Sequence, residues 1–208
     1  MRLERIFARQ RSKYRPRTTN SRHHGPIAPN RVQNLSVHRP DQVWATDATC
    51  ILTAQGWLYL VAVLDVCSRR VVGWAMHQIL DARLVIAALP MALSQRHPAK
   101  GLIVHSDRGA QLASAAYRQV LSQHGLVASM SRKGNCYDNA FMESFWSSLK
   151  YEVVYHQHFA TLAEARSALF NYIETFYNRV RLHSSLGYRS PLNFESQLRK
   201  QPQHNQRN

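Results

Sequence analysis

Apolar and polar positions divide the chain into a strand-rich first half and a helical second half. Val43–Ile51, Trp57–Asp65 and Arg70–Gln78 are short runs rich in Val, Leu, Ile and aromatic residues, and each predicts a strand. Ala54-Gln55-Gly56 makes a hairpin turn between the first two. Asp81–His97 has helical spacing with Asp81 as N-cap, and Pro90 kinks or divides it. Gly101–Ser106 is a short buried strand, Gln111–His124 a helix closed by Gly125, and Leu126–Met130 a fifth strand. This order predicts an α/β fold built on a mixed sheet flanked by helices.

Ser131–Tyr137 is a polar loop, after which Asp138 caps a helix to about Tyr155. Met142, Phe145, Leu149 and Val153 recur at three- and four-residue spacings and mark its core face. Leu162–Arg181 repeats the pattern with Leu169, Ile173, Phe176 and Val180. Ser196–Asn208 is polar and reads as frayed. The expected domains are a basic arm over 1–40, a core over 41–160, a helical extension over 161–196 and a disordered tail over 197–208.

Charge changes the picture from fold to partner. The net charge is +15 and the pI about 10.5, which points to a polyanion, most simply nucleic acid. Residues 1–40 carry ten Lys/Arg against one acid, Glu4, with little apolar periodicity, so they read as an extended DNA-contacting arm. No apolar run is long enough for a membrane span, and the basic N-terminus lacks the apolar stretch of a secretory signal. Cys50, Cys67 and Cys136 are odd in number and unsuited to a paired metal motif, as in a reducing, cytoplasmic compartment.

With only 12 acids in the chain, each position is informative. Asp47 lies within an apolar strand, Asp107 follows the buried strand GLIVHS, and Glu143 stands near the start of the helix from Asp138, with 35 residues between the last two. A buried acid is costly unless paired or bound to metal. Asp47 has two readings: an ion pair with Arg69 or Arg70, or a share in a metal site with Asp107 and Glu143. Converging carboxylates suit two hard divalent ions. Lys150, seven residues after Glu143, returns to the same helix face, and Asn139, four before it, shares that face. His105 is two residues before Asp107 and reads as packing or supporting the site rather than as a ligand. His23, His24, His156 and His158 read as surface residues; Tyr137, Phe141, Phe145 and Trp146 offer a stacking surface or core, with Phe145 in the core.

The three acids and the words around them resemble a known family. VWATDATCI, HSDRGAQ, SMSRKGNCYDNAFMESFWSSLKYE and YNRVRLHSSLGYRSPLNFE, with LDVCSRRVVGW, are similar to the catalytic subunit of insertion-sequence-three (IS-three) family transposases, within the retroviral integrase superfamily. Arg108 and Ala110 stand where that family often has Gln and Ser, and Phe141 where Pro is frequent. The resemblance covers about residues 20–196 and implies an RNase-H-like core, two Mg²⁺ or Mn²⁺ ions on Asp47, Asp107 and Glu143, and a catalytic Lys150. It implies cleavage of double-stranded DNA at transposon ends and strand transfer into a target, by a homo-oligomer assembled on DNA in the bacterial cytoplasm, in association with the nucleoid. Arg132, Lys133, Asn139 and Lys150 are the expected DNA contacts. Family members carry an upstream helix-turn-helix, so this chain reads as N-terminally truncated or as served by a separate DNA-binding subunit. A ribonuclease-H-type nuclease that cuts without joining, and a non-catalytic DNA-binding remnant, are the competing classes.

Overall fold

The computed structural model describes Thr18, residues 25–132 and residues 139–200. Its five strands are β1 (Val43–Thr53), β2 (Gly56–Asp65), β3 (Val71–His77), β4 (Ile103–Ser106) and β5 (Val127–Met130). They lie in the order β3-β2-β1-β4-β5, with β1, β2 and β3 antiparallel and β4 and β5 parallel to β1. The hairpin closes through Thr53 opposite Gly56, whose φ of 113° suits only glycine.

Helices cover both faces of the sheet, which explains why β1 and β2 are buried almost throughout. On one face α1 (Ala82–Ala87), α2 (Leu89–Arg96) and α3 (Ala115–Gln123) pack Leu84, Leu89, Ala92 and Leu121 against Trp44, Val61, Val63 and Val104. On the other, α4 (Ala140–Glu152) and α5 (Leu162–Asn171) pack Met142, Phe145, Leu149 and Leu169 against Val43, Ala45, Ile51 and Leu60. Odd-numbered positions of β1 meet α4 and α5, and this parity puts Asp47 on the α4 side.

Asp81 caps α1 by accepting from the Leu84 amide, and the expected break falls at Ala88, with Pro90 in the first turn of α2. The two helices lie close to β3 because Gly73 has no side chain: a Cβ there would stand 2.4 Å from the Ala88 carbonyl oxygen and 2.9 Å from Ala92. Gly73→Ala should therefore cost about 1–3 kcal/mol, the usual penalty of overpacking. A denaturant titration checks this by its midpoint, with unchanged stability contradicting the close packing.

Three boundaries depart from the sequence pattern. α3 starts at Ala115, not Gln111, because Ser114 caps it through the Tyr117 amide while residues 109–113 turn beneath Asp107. Gly125, with φ 67°, ends it as expected, and the Leu126 amide reaches back to the Leu121 carbonyl. After α5 the chain winds as a π-helix over Tyr172–Tyr177, and the extra residue per turn rotates the core face. Ile173 and Tyr177 are buried, whereas Phe176 and Val180, expected in the core, are exposed. The last helix, α6 (Pro191–Lys200), carries order past Ser196, where the polar composition suggested fraying.

Glu195 shows why α6 holds. Its buried carboxylate accepts from Arg70 at 2.8 Å, Arg96 at 2.7 Å and Ser68 at 2.7 Å. Arg96 also bonds Asp41 at 2.8 Å, and Asp65, wholly buried, accepts from the Asp41 and Ser68 amides. The network ties α6 to α2, to the β2–β3 connection and to the entry of β1.

Candidate active site

Asp47 and Asp107 come together because β1 and β4 run parallel. Their register pairs Val43 with Ile103 through Thr46 with Ser106, so the next step places the two aspartates on adjacent chains. Neighbouring strands are about 4.8 Å apart. Asp107 lies just beyond the end of β4, where Gly109 turns the chain and donates its amide to Oδ1 of Asp107 at 2.8 Å. A Cβ on residue 109 would stand 3.0 Å from that oxygen, so glycine keeps the turn tight.

Asp47 is held from two directions. The Ala48 amide donates to Oδ1 at 2.7 Å, and the Trp146 indole N–H donates to Oδ2 at 2.9 Å. The sequence left Asp47 with Arg69 or Arg70 as possible ion-pair partners. Arg70 instead pairs with Glu195, and the Arg69 guanidinium lies 4.0 Å over the Phe141 ring. Burial raises the Asp47 carboxyl to about 7, with the Asp107 charge adding to the rise; the Ala48 and Trp146 bonds and the Lys150 charge pull it back.

Trp146 was read from sequence as a stacking or core residue, yet it donates directly to the site. The available signal was its position on α4, three residues after Glu143 and four before Lys150, hence on one helix face. Lys150 is half-buried, and its charge acts on Asp47. It also lines a cavity of about 400 Å³ with Trp57, Tyr155 and Phe159.

Glu143 shares that face but lies one turn further towards the helix start and is exposed. Among the described residues no group of three His, Cys, Asp or Glu side chains lies close enough to hold a metal ion. The structure thus brings Asp47 beside Asp107 and leaves Glu143 exposed in the first turn of α4. Asn139, expected on a DNA-facing surface, is only 7% exposed, and its side-chain oxygen has no hydrogen-bond partner among the described residues. It stands at the N-cap position of α4, where it is buried. Arg132 is exposed; Lys133, Asp138, Tyr137, Cys136, His23 and His24 lie outside the described residues.

The remaining candidates resolve simply. His105 is buried, with Nδ1 2.9 Å from the Ser129 hydroxyl, in keeping with a packing role. Phe145 is core, stacked on Trp146 and Tyr177. His156 and His158 are exposed, and neither Cys50 nor Cys67 forms a disulfide among the described residues.

A mixed five-stranded sheet in this order, with an aspartate on the central strand and another at the end of its parallel neighbour, defines an RNase-H-like core of the integrase type. The comparisons agree. The integrase core domain family matches residues 37–136, and a second integrase core domain family matches residues 124–191. The chain is 48% identical over 191 residues to an uncharacterized 31 kDa protein of insertion element IS600 from Shigella sonnei, covering 91% of this chain and 70% of that protein. It is 44% identical over 198 residues to the transposase InsF for insertion sequence IS3A of Escherichia coli, covering 94% and 68%. It belongs to this family of insertion-element transposases with an integrase core. Among solved structures it resembles a simian T-cell lymphotropic virus intasome, with TM-score 0.66 at 15% identity over 92% of this chain and 66% of that one. It also resembles the HTLV-2 integrase catalytic core domain in complex with magnesium, with TM-score 0.57 at 14% identity over 75% and 97%. No described helix is long and apolar enough to cross a membrane.

Proposed function

We propose that this chain is the catalytic core of a DNA transposase, which cuts double-stranded DNA at transposon ends and joins the 3′ end to a target strand. The observation that carries this is the aspartate pair: two carboxylates side by side, one pushed to about 7 by burial and by the other's charge. Such a pair calls for a divalent cation, and its oxygen donors suit Mg²⁺ or Mn²⁺. Asp47 and Asp107 would hold it, with Glu143 joining from the exposed start of α4; magnesium in the HTLV-2 core supports a divalent metal, and two ions are the number this reading assigns. When bound, the metal supplies positive charge that activates an attacking oxygen and neutralises the phosphate.

The chain's own residues supply position. The Ala48 and Trp146 N–H groups fix the rotamer of Asp47, and the Gly109 amide fixes Asp107. Lys150 holds a phosphate oxygen beside the pair. In the first step water attacks the scissile phosphorus, the P–O3′ bond breaks and the 3′-oxygen leaves as a hydroxyl. In the second that 3′-hydroxyl attacks a target phosphorus, a new P–O3′ bond forms, and the target's own P–O3′ bond breaks with its 3′-oxygen leaving as a hydroxyl. Arg132 and Lys133 are the assigned DNA-backbone contacts, and the basic residues of 1–40 are assigned as an arm for duplex DNA. The core spans 41–160 with its helical extension over 161–196. The chain works in the bacterial cytoplasm near the nucleoid, as a homo-oligomer on DNA, as the intasome likeness suggests, with a separate DNA-binding subunit as a further candidate partner.

Strand transfer measured with the purified chain, Mg²⁺ and the DNA flanking its own gene tests the reading. Joined products are expected. Nicks without joined products would indicate a ribonuclease-H-type nuclease, and DNA binding with neither would indicate a non-catalytic remnant. In the same assay Lys150→Ala should lose about ten- to a hundred-fold in rate, the worth of one charge-assisted contact of roughly 1.5–3 kcal/mol. Lys150→Arg should recover part of it. Full activity in the Ala variant would remove Lys150 from the mechanism.

A further inference from the structure

Next to the aspartate pair lies a second feature that the reaction does not use. A cavity of about 620 Å³ opens between the segment leading into β1, the start of α4 and the segment around α6. Val32, Val37, Leu186 and Phe194 supply much of its apolar wall, and Arg69 supplies a charge. Its floor includes Ala45 and His105, each two residues before one of the aspartates. Two strand residues span about 7 Å, so cavity and site adjoin.

Arg69 is the anomaly. Arg70 and Arg96 both bond Glu195, whereas Arg69 has no carboxylate partner among the described residues. Its guanidinium stacks over Phe141 at 4.0 Å, and its Nη1 is buried without a hydrogen-bond acceptor among the described residues. Its backbone sits at φ 62°, a left-handed conformation that non-glycine residues seldom adopt without reason. Asp65 is the carboxylate whose charge acts on Arg69, but among the described residues no ion pair joins the two. A half-buried cation compensated only at a distance is unfavourable, and an arginine fork is shaped to take two oxygens of one anion.

We propose that this cavity is a phosphate-binding site, with Arg69 stacked on Phe141 as the counter-charge. The expected source is the backbone of the DNA strand entering the neighbouring site, and in this respect the proposal rests on the transposase reading. Arg69 would then hold a phosphate flanking the one that reacts, and the apolar wall would take the attached sugar or an unstacked base.

The test uses the full chain and two variants, Arg69→Gln and Val37→Trp; the second fills the cavity and leaves Arg69 in place. Far-ultraviolet circular dichroism verifies that each is folded. In the first arm, inorganic phosphate should raise the wild-type Tm above that in chloride at equal ionic strength, and both variants should lose the gain. In the second arm, duplex DNA should bind Arg69→Gln about ten- to a hundred-fold more weakly, with the slope of log K against log salt flatter by about 0.9. Arg69→Lys should restore the slope but only part of the affinity. Loss of the phosphate gain with unchanged DNA binding would assign the site to free phosphate rather than to the strand. Variants that match wild type in both arms would overturn the proposal. If the wild type fails to bind DNA at all, the transposase reading falls, and the phosphate arm still decides the cavity.

Discussion

Asp47→Asn should abolish DNA cleavage and at the same time make the metal-free protein more stable above neutral pH. The two effects have one cause. The Asp47 carboxyl is raised to about 7 in the folded chain, against about 3.9 in an unfolded one. The folded state therefore favours the protonated form. Below about pH 4 the group is protonated in both states and costs nothing; between about 4 and 7 the cost of ionising it in the fold grows, and above 7 it is constant. The full shift corresponds to roughly 2–4 kcal/mol, with the lower end favoured because water reaches part of the carboxylate. Asparagine removes this charge and, like the protonated acid, offers one good acceptor oxygen, so it keeps one of the two bonds from the Ala48 and Trp146 N–H groups. Thermal unfolding at pH 5 and pH 8 should show the variant pulling ahead only at the higher pH. Adding Mg²⁺ should close the gap by stabilising the wild type alone. A variant that cleaves DNA near the wild-type rate, or gains no stability at pH 8, would remove Asp47 from the site.

The second large effect concerns Glu195, far from the aspartates in sequence, whose pH dependence has the opposite sign. Glu195→Ala leaves Arg70 and Arg96 without their shared carboxylate in a region where Glu195 and the Arg96 side chain are each only 3% exposed. Breaking a buried pair from one side costs about 3–5 kcal/mol. For a chain of this length that is a fall in Tm of roughly 10 °C or more. Burial acts to push the Glu195 carboxyl up, but the Arg96 hydrogen bond and charge, with Ser68 and Arg70, outweigh it and hold the group below its usual range. Its contribution is thus complete above the ordinary glutamate range and is lost as pH falls through the depressed value. The wild type should lose its advantage over Glu195→Gln in acid, whereas the advantage of Asp47→Asn over wild type appears towards alkali. Calorimetry across pH separates the two, and equal Tm values for Glu195→Ala and wild type at pH 7 would show that the network is not what docks α6.

Local pattern carried much of this molecule. Alternating apolar runs define β1, β2 and β3, Pro90 divides α1 from α2, Gly125 closes α3, and an acid on an otherwise apolar strand marks Asp47. These are properties of neighbouring residues, set by φ/ψ preference and by a side-chain period of two or about 3.6. What depended on residues distant in the chain was settled only by the tertiary structure. Trp146 reaches Asp47 across 99 positions and Ser68 reaches Glu195 across 127. Arg70 and Arg69 look alike in sequence, yet one pairs with Glu195 and the other stacks on Phe141. The π-helical winding after α5 buries Tyr177 and exposes Phe176, reversing a periodicity that assumed a regular helix. Sequence determined which residues could form strands and helices, because those tendencies are local. Which charge meets which partner, and which face of a helix is buried, depended on where the fold places distant groups, because burial makes an unpaired charge costly only once that placement is made.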